Sequence, residues 1–291
     1  MADPVWLLDL SRLLARAGAP GPTGIDRVEL AYARYLLSGR LRKSAFCALH
    51  PLGVSGGIPS GLAADFVSAL SEWWSASSAR RQSGESGEIA RLKRRIGRDL
   101  LWRPLPRQRR MVHLLLSHHH LTRPRAIAML LRATGSFFVP MVHDVIPLDF
   151  PEYGRPKEEQ RHAQRIATVA SLADGVLVPT RTVRNDLCRH VQRPLPVWVV
   201  PHGVASACSW GGCAQSEVTV PERPYFVYLS TIEPRKNHLM LLQVWRRLVE
   251  VDPQAAPVLV LIGKRGWENE NVLDLLDRSK ILRPYVVEYN A

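Results

Sequence analysis

The sequence predicts an α/β protein of two Rossmann-like, parallel-sheet domains, the second of them expected to be incomplete. Three observations predict it. Short apolar runs alternate with amphipathic stretches of helical length from Val5 to Val200, the pattern of a parallel sheet covered on both faces. Residues 205–224, rich in Ser, Gly, Cys and Pro and without a clear period, interrupt that rhythm and read as a linker. A second alternating run, 225–291, then offers only three strands, where a doubly wound sheet has about five or six. The domains are accordingly expected at 1–204 and 225–291.

Taken in order, Val5-Trp6-Leu7-Leu8-Asp9-Leu10 reads as a buried first strand. The turn-rich Gly21 to Arg27 opens a helix with Val28, Leu30, Tyr32, Tyr35 and Leu36 on its apolar face. Residues 45–49 suit a second strand, and the Gly, Ser and Pro of 53–61 a loop. Residues 62–74 are helical in pattern, 75–87 small, polar and read as mobile, and 88–101 a basic helix. Strands follow at 112–116 and 137–142, bridged by a helix at 124–133. A helix at 157–173, a strand at 176–179, a helix at 182–190 and a strand at 197–200 complete the first run. The second run is strand 225–230, helix 238–250, strand 258–262, helix 271–278 and strand 285–289.

The chain of 291 residues is 46% apolar, enough for a sizeable core, and carries a net charge of +13. Such a charge suits nucleic acid, an anionic surface or an anionic substrate. It is concentrated, because residues 80–110 hold eleven Arg and Lys against three acids. Three readings of that segment stay open. It is a solvated helix and loop, or an interfacial helix on an anionic membrane, with Leu92, Ile96, Leu100, Leu101 and Trp102 among the cations. The third is nucleic-acid binding, which no helix-turn-helix, zinc-finger or RNP pattern supports, so no nucleic-acid partner is expected. No apolar run is long enough to cross a bilayer, and the N-terminus lacks the features of a signal peptide. Cys47, Cys188, Cys208 and Cys213 fit no zinc or thioredoxin spacing. A reduced, cytoplasmic protein is expected, or one peripheral on the inner face of the membrane.

The most informative stretch is Tyr228-Leu229-Ser230-Thr231-Ile232-Glu233-Pro234-Arg235-Lys236-Asn237. An apolar strand ends in a polar turn bearing two adjacent cations, and a helical pattern follows at once. Such a junction aims free N–H groups and the positive end of the helix dipole at one point, which suits a diphosphate. An exposed Arg-Lys pair at a helix start is the plain alternative. The stretch resembles the start of the nucleotide-sugar domain of group 1 (family 4) glycosyltransferases of the GT-B fold, where the pattern is G-x-x-x-P-R-K-N or a close variant. Ser230 stands where many members have Gly. The resemblance implies that Arg235 and Lys236, with Asn237 at the helix start, hold the donor diphosphate.

Three further matches follow the family's order across residues 5–290. His143-Asp144, after an apolar strand, corresponds to the family's His-Asp in the catalytic cleft, which implies a sugar or leaving-group contact for His143 and an orienting role for Asp144. A loop histidine followed by a helix-capping Asp is the alternative reading. Pro22-Thr23-Gly24-Ile25-Asp26-Arg27 stands where the family has a Gly-rich loop near donor phosphates or acceptor, with Thr23 in place of one Gly. Gly24 is thereby a diphosphate candidate, and Thr23 and Arg27 are candidates on the acceptor side. Ala173-Asp174-Gly175-Val176 and Val200-Pro201-His202-Gly203-Val204 resemble the family's order markers more than its chemistry. His118-His119-His120 tempts a metal reading, but adjacent residues of a strand alternate faces. No metal site is expected, and His118 is kept as a cleft candidate.

The resemblance also implies an E-x7-E carboxylate pair in the second domain, which the sequence lacks. The chain is expected to be an N-terminal fragment or a truncated product, leaving apolar surface and a strand edge exposed. What the resemblance implies is a retaining transfer of a hexose, with mannosyl transfer as one form, from a UDP- or GDP-linked sugar to a saccharide or lipid-linked acceptor. No cofactor or metal is required. The alternative is a non-catalytic module that binds a glycan or an anionic membrane through 80–110.

Overall fold

The computed structural model describes residues 3–41, 43–75, 86–203 and 221–289. The chain divides into two compact units, Met1–Asp149 with Glu159–Gly203, and Phe150–Glu158 with Val204–Ala291. The expected linker, 205–224, falls largely outside the described residues, as does most of 75–87.

In the first unit, strands β1 (Val5–Asp9), β2 (Ser44–Leu49), β3 (Ser55–Ile58), β4 (Met111–Leu115) and β5 (Phe137–Pro140) form one sheet of order β3-β2-β1-β4-β5. All its pairings are parallel except β2–β3. The bridge Met141–Leu177 leads on to a parallel pair, β6 (Val176–Val178) and β7 (Val197–Val199). The helices are α1 (Ser11–Arg16), α2 (Gly24–Leu37), α3 (Ser60–Ser75), α4 (Ser86–Trp102), α5 (Pro124–Thr134), α6 (Ile146–Asp149), α7 (Glu158–Leu172) and α8 (Arg181–His190). Alternation along β1 explains the layering. Leu8 packs into the core beneath α1 to α4, while Val5 and Leu7 pack on the other face with Met111 and Leu130.

Three expectations change. The stretch 53–61 contains an antiparallel edge strand, β3. Its Gly56 and Gly57 look like loop residues in sequence, yet they are where other backbone crosses the strand. A Cβ on Gly56 would overlap the Leu100 carbonyl, and one on Gly57 would lie 2.9 Å from the Pro104 oxygen. The short helices α1 and α6 carry no period that sequence alone could reveal. The basic helix α4 buries Ile89, Leu92, Ile96 and Leu100 in the main core. Each such burial contributes about 1.5–3 kcal/mol, so these side chains hold the helix to the sheet and are not available to a membrane. Leu101 and Trp102 remain exposed. Among the described residues no helix is long and apolar enough to cross a membrane.

The second unit has a parallel sheet of order β10-β9-β8, from β8 (Tyr225–Leu229), β9 (Val258–Ile262) and β10 (Val286–Tyr289), with helices α9 (His238–Val251) and α10 (Glu270–Arg278). Leu242, Trp245, Leu259, Leu261 and Val272 build its core. The Trp245 indole donates to the Pro257 carbonyl at 2.9 Å. Among the described residues strand β8 lies at the sheet edge, with Phe226 61% and Leu229 74% exposed.

Candidate functional site

In the first unit the strand order reverses between β1 and β4, and the segments that leave the carboxyl ends of these strands carry the buried polar residues Ser11, Ser117 and His120. After β1, Asp9 accepts from the Ser11 amide at 2.8 Å, and Ser11 Oγ accepts from the Leu49 amide at 2.8 Å. Next, Thr23 caps α2. Its hydroxyl accepts from the Asp26 amide, and Asp26 accepts from the Thr23 amide, forming a capping box. Asp26 also accepts from Arg12 Nε at 2.6 Å and Arg16 Nε at 3.3 Å. Burial pushes the Asp26 carboxyl up, but the Thr23 amide and hydroxyl and the Arg12 guanidinium outweigh it and hold it below the ordinary value. The Thr23 hydroxyl is thus engaged in capping and also accepts from Arg12 Nη2 at 3.1 Å. Gly24 is the first helical residue, with open space where a Cβ would be. Arg27 is exposed on the first turn.

After β5, His143 and Asp144 lie in an irregular segment that leads into α6. The His143 Nε2–H donates to the Leu116 carbonyl at 2.8 Å, since a carbonyl only accepts. Its backbone N–H donates to His118 Nε2 at 3.5 Å, so that nitrogen is the bare one. His118 stacks edge-on to His143 and to His162, with centroids 5.5 and 5.2 Å apart, and His143 lies 5.5 Å from His202. Burial first, then the neighbouring imidazoles, pushes His118 well below the ordinary histidine range. Burial likewise lowers His143, against the Leu116 hydrogen bond. The structure therefore brings His118, a cleft candidate, onto His143, a catalytic candidate. Two neutral rings face each other there. His162 and His202 complete the group; sequence reasoning missed both, for neither sits in a chemical motif.

The histidine run follows β4 in a turn rather than on a strand. Its members separate. His118 faces His143, while His119 and His120 pair with each other at 4.5 Å between centroids. Burial and the adjacent His120 push His119 down to about 4.

A second set lies deeper. Asp9, Cys47 and His113, one from each of three adjacent strands, bring their donor atoms within 4.8 Å of one another, and all three are buried. Among the described residues neither His113 ring nitrogen has a hydrogen-bond partner, with the nearest Asp9 oxygen 3.9 Å away. Glu29 of α2 is fully buried, and among the described residues its carboxyl group has no hydrogen-bond partner. Burial, then the charge of Asp9, pushes its carboxyl well up, so it is held neutral. No spacing in the sequence marks these residues, since they meet only through strand order.

In the second unit the Arg-Lys turn takes a defined shape. Pro234–Lys236 form one 3-10 turn, and Asn237 follows in the left-handed region at φ 53°, ψ 40°. Asn237 is the N-cap of α9, its Oδ1 accepting from the Met240 amide at 3.3 Å. The Tyr228 hydroxyl donates to the Lys236 carbonyl at 2.8 Å and pins the turn to β8. Arg235 Nε donates to Glu233 at 2.8 Å, and the guanidinium is exposed. Below lies buried His238, its Nε2 3.3 Å from Ser230 Oγ. The hydroxyl that distinguishes Ser230 from the family's Gly therefore has a partner. The close backbone approach occurs instead at Gly263, where a Cβ would overlap the Ser230 carbonyl.

No family profile matches the chain. Over 99% of its length it superposes on a sucrose-phosphate synthase from Thermosynechococcus elongatus, with a TM-score of 0.54, 12% identity and 70% of that chain covered. The fold is GT-B. A second GT-B structure, Anabaena HepE in complex with UDP and glucose, matches with a TM-score of 0.52 at 12% identity, covering 99% of this chain and 69% of that one. In sequence, the chain is similar to the serotype-specific mannosyltransferase WbdA of Escherichia coli, 24% identical over 166 residues, half of this chain and 20% of that protein. It is also similar to the O-antigen chain mannosyltransferase B of Escherichia coli, 26% identical over 191 residues, 57% of this chain and 49% of that protein. The chain thus spans between about a fifth and a half of these curated relatives. Within GT-B, the Arg235-Lys236 turn belongs to the second unit and the His143 group to the first.

Proposed function

We propose that the chain is the donor-diphosphate-binding and acceptor-side part of a retaining glycosyltransferase, one that moves a hexose from a UDP- or GDP-linked sugar to a saccharide or lipid-linked acceptor. The mannosyltransferase relatives favour mannose as the sugar. The observation that carries the reading is the turn at Arg235-Lys236-Asn237. Two adjacent cations stand there at the start of a 14-residue helix, Arg235 paired with Glu233, and Tyr228 and the Asn237 cap hold the turn. When the sugar leaves, negative charge grows on the diphosphate. Positioned cations and helix-start amides stabilise that charge without reorganising. Their two charges also meet the diphosphate without requiring a metal or other cofactor. His143, a neutral imidazole whose Nε2–H is already committed, offers Nδ1 as an acceptor toward a sugar hydroxyl, with Asp144 beside it.

Calorimetric titration with UDP, GDP and their mannose and glucose conjugates tests the reading. At least one of these is expected to bind, more weakly as salt rises. Absence of binding by all of them at millimolar concentration would overturn it.

A further inference from the structure

The first unit contains a cavity of about 680 Å³ that none of the residues discussed under Proposed function lines. It opens beneath α4, between α1, the turn after β2 and the segment joining β4 to α5. Its floor is aliphatic, from Leu14, Leu49 and Leu100. Its rim carries Lys93, Arg94 and Arg123, and among the described residues no carboxylate lines it. Among the described residues none of these three cations forms an ion pair. His120 also lines the cavity. It is 7% exposed, and its Nε2, which has no hydrogen-bond partner among the described residues, is closed off from solvent.

Gly97 is a further sign. It sits in the interior of α4, where Gly is less favourable than Ala. No neighbour explains it, because a Cβ there would meet nothing within 4 Å. The open space that Gly97 leaves belongs to the cavity itself.

We infer that this cavity is a binding site for an anionic amphiphile, a phosphate-bearing ligand whose apolar body rests on the leucine floor while Lys93, Arg94 and Arg123 take the anion. The size is that of a small-molecule site, and unpaired cations over an apolar wall favour an anion over a neutral saccharide. To equate this ligand with the acceptor rests on the transferase reading; the binding itself does not.

The test is calorimetry at low salt with octyl phosphate below its micellar range, inorganic phosphate and octyl glucoside. Octyl phosphate is expected to bind at one site, with each of the other two at least roughly tenfold weaker, a difference of about 1.4 kcal/mol. The Arg94→Gln/Arg123→Gln pair is expected to weaken octyl phosphate at least tenfold, to about the level of the neutral glucoside. Gly97→Phe fills the cavity from a position with room for a side chain, so it is expected to abolish binding without lowering the unfolding midpoint. Octyl phosphate binding that survives Gly97→Phe, or inorganic phosphate binding as tightly as octyl phosphate, overturns the assignment. Titrating UDP and GDP into the same samples separates the two readings. Octyl phosphate binding without nucleotide binding leaves the cavity assigned and sinks the transferase; the reverse does the opposite.

Discussion

The Nε2–H of His162 donates to the backbone carbonyl of Asp144 at 3.1 Å. Through it, helix α7 holds the segment that carries His143 and Asp144, and Arg165 donates to the other ring nitrogen of His162 at 3.4 Å. His162→Phe keeps the ring volume but removes both functions. Leaving a part-buried carbonyl unpaired is expected to cost about 1–3 kcal/mol. Urea unfolding should show a lower midpoint while nucleoside diphosphate affinity, assigned to the other unit, stays within error. An unchanged midpoint would show that His162 does not anchor this segment.

Charge-assisted hydrogen bonds contribute about 1.5–3 kcal/mol each. Arg235→Ala with Lys236→Ala is therefore expected to weaken nucleoside diphosphate binding by about 100-fold or more, and to flatten its salt dependence. Arg235 is exposed and Lys236 half-buried, so the fold should survive. Equal affinity in the double variant and the parent chain, measured by calorimetry, would remove this turn from the donor site.

Gly56→Ala places a methyl group against the Leu100 carbonyl, where only backbone can give way. A loss of about 2 kcal/mol or more is expected, the scale of overpacking at a rigid contact. Thermal unfolding checks it. A tolerated alanine would mean that α4 and β3 can separate.

Glu29 supplies a pH dependence with a definite sign. Its folded carboxyl lies well above the unfolded value, owing to burial and to Asp9. The native state then binds more protons than the unfolded chain, so this group favours folding at low pH and loses that contribution as pH rises through its folded pKa. Glu29→Gln cannot ionise. Its stability relative to the parent chain is expected to rise from pH 5 to pH 8, read from urea unfolding at each pH. A constant difference would indicate that Glu29 is not held neutral.

Much of the fold was legible because its signals are local. Helices α2, α5 and α9 and strands β1, β4 and β9 fall close to where their periodicity places them. The Arg235-Lys236 turn was legible for the same reason, since strand, turn and helix start are contiguous. Strand β3 was not. Gly56 and Gly57 signal a loop by composition, while their reason for being glycine lies some 45 residues away, at Leu100 and Pro104. The apolar residues of α4 looked like an interfacial face, because sequence shows amphipathicity but not what covers it.

The sequence by itself determined the alternating α/β order, the strand–turn–helix junction at Arg235 to Asn237 and the concentration of positive charge in 80–110. Each depends on residues near one another in the chain. Only the tertiary structure decided that Asp9, Cys47 and His113 meet, that His118 and His162 support His143 and Asp144, and that α4 turns Gly97, Lys93 and Arg94 toward a cavity floored by α1 and β2. Those contacts follow from strand order and helix packing, which bring distant segments together, and no local spacing encodes them.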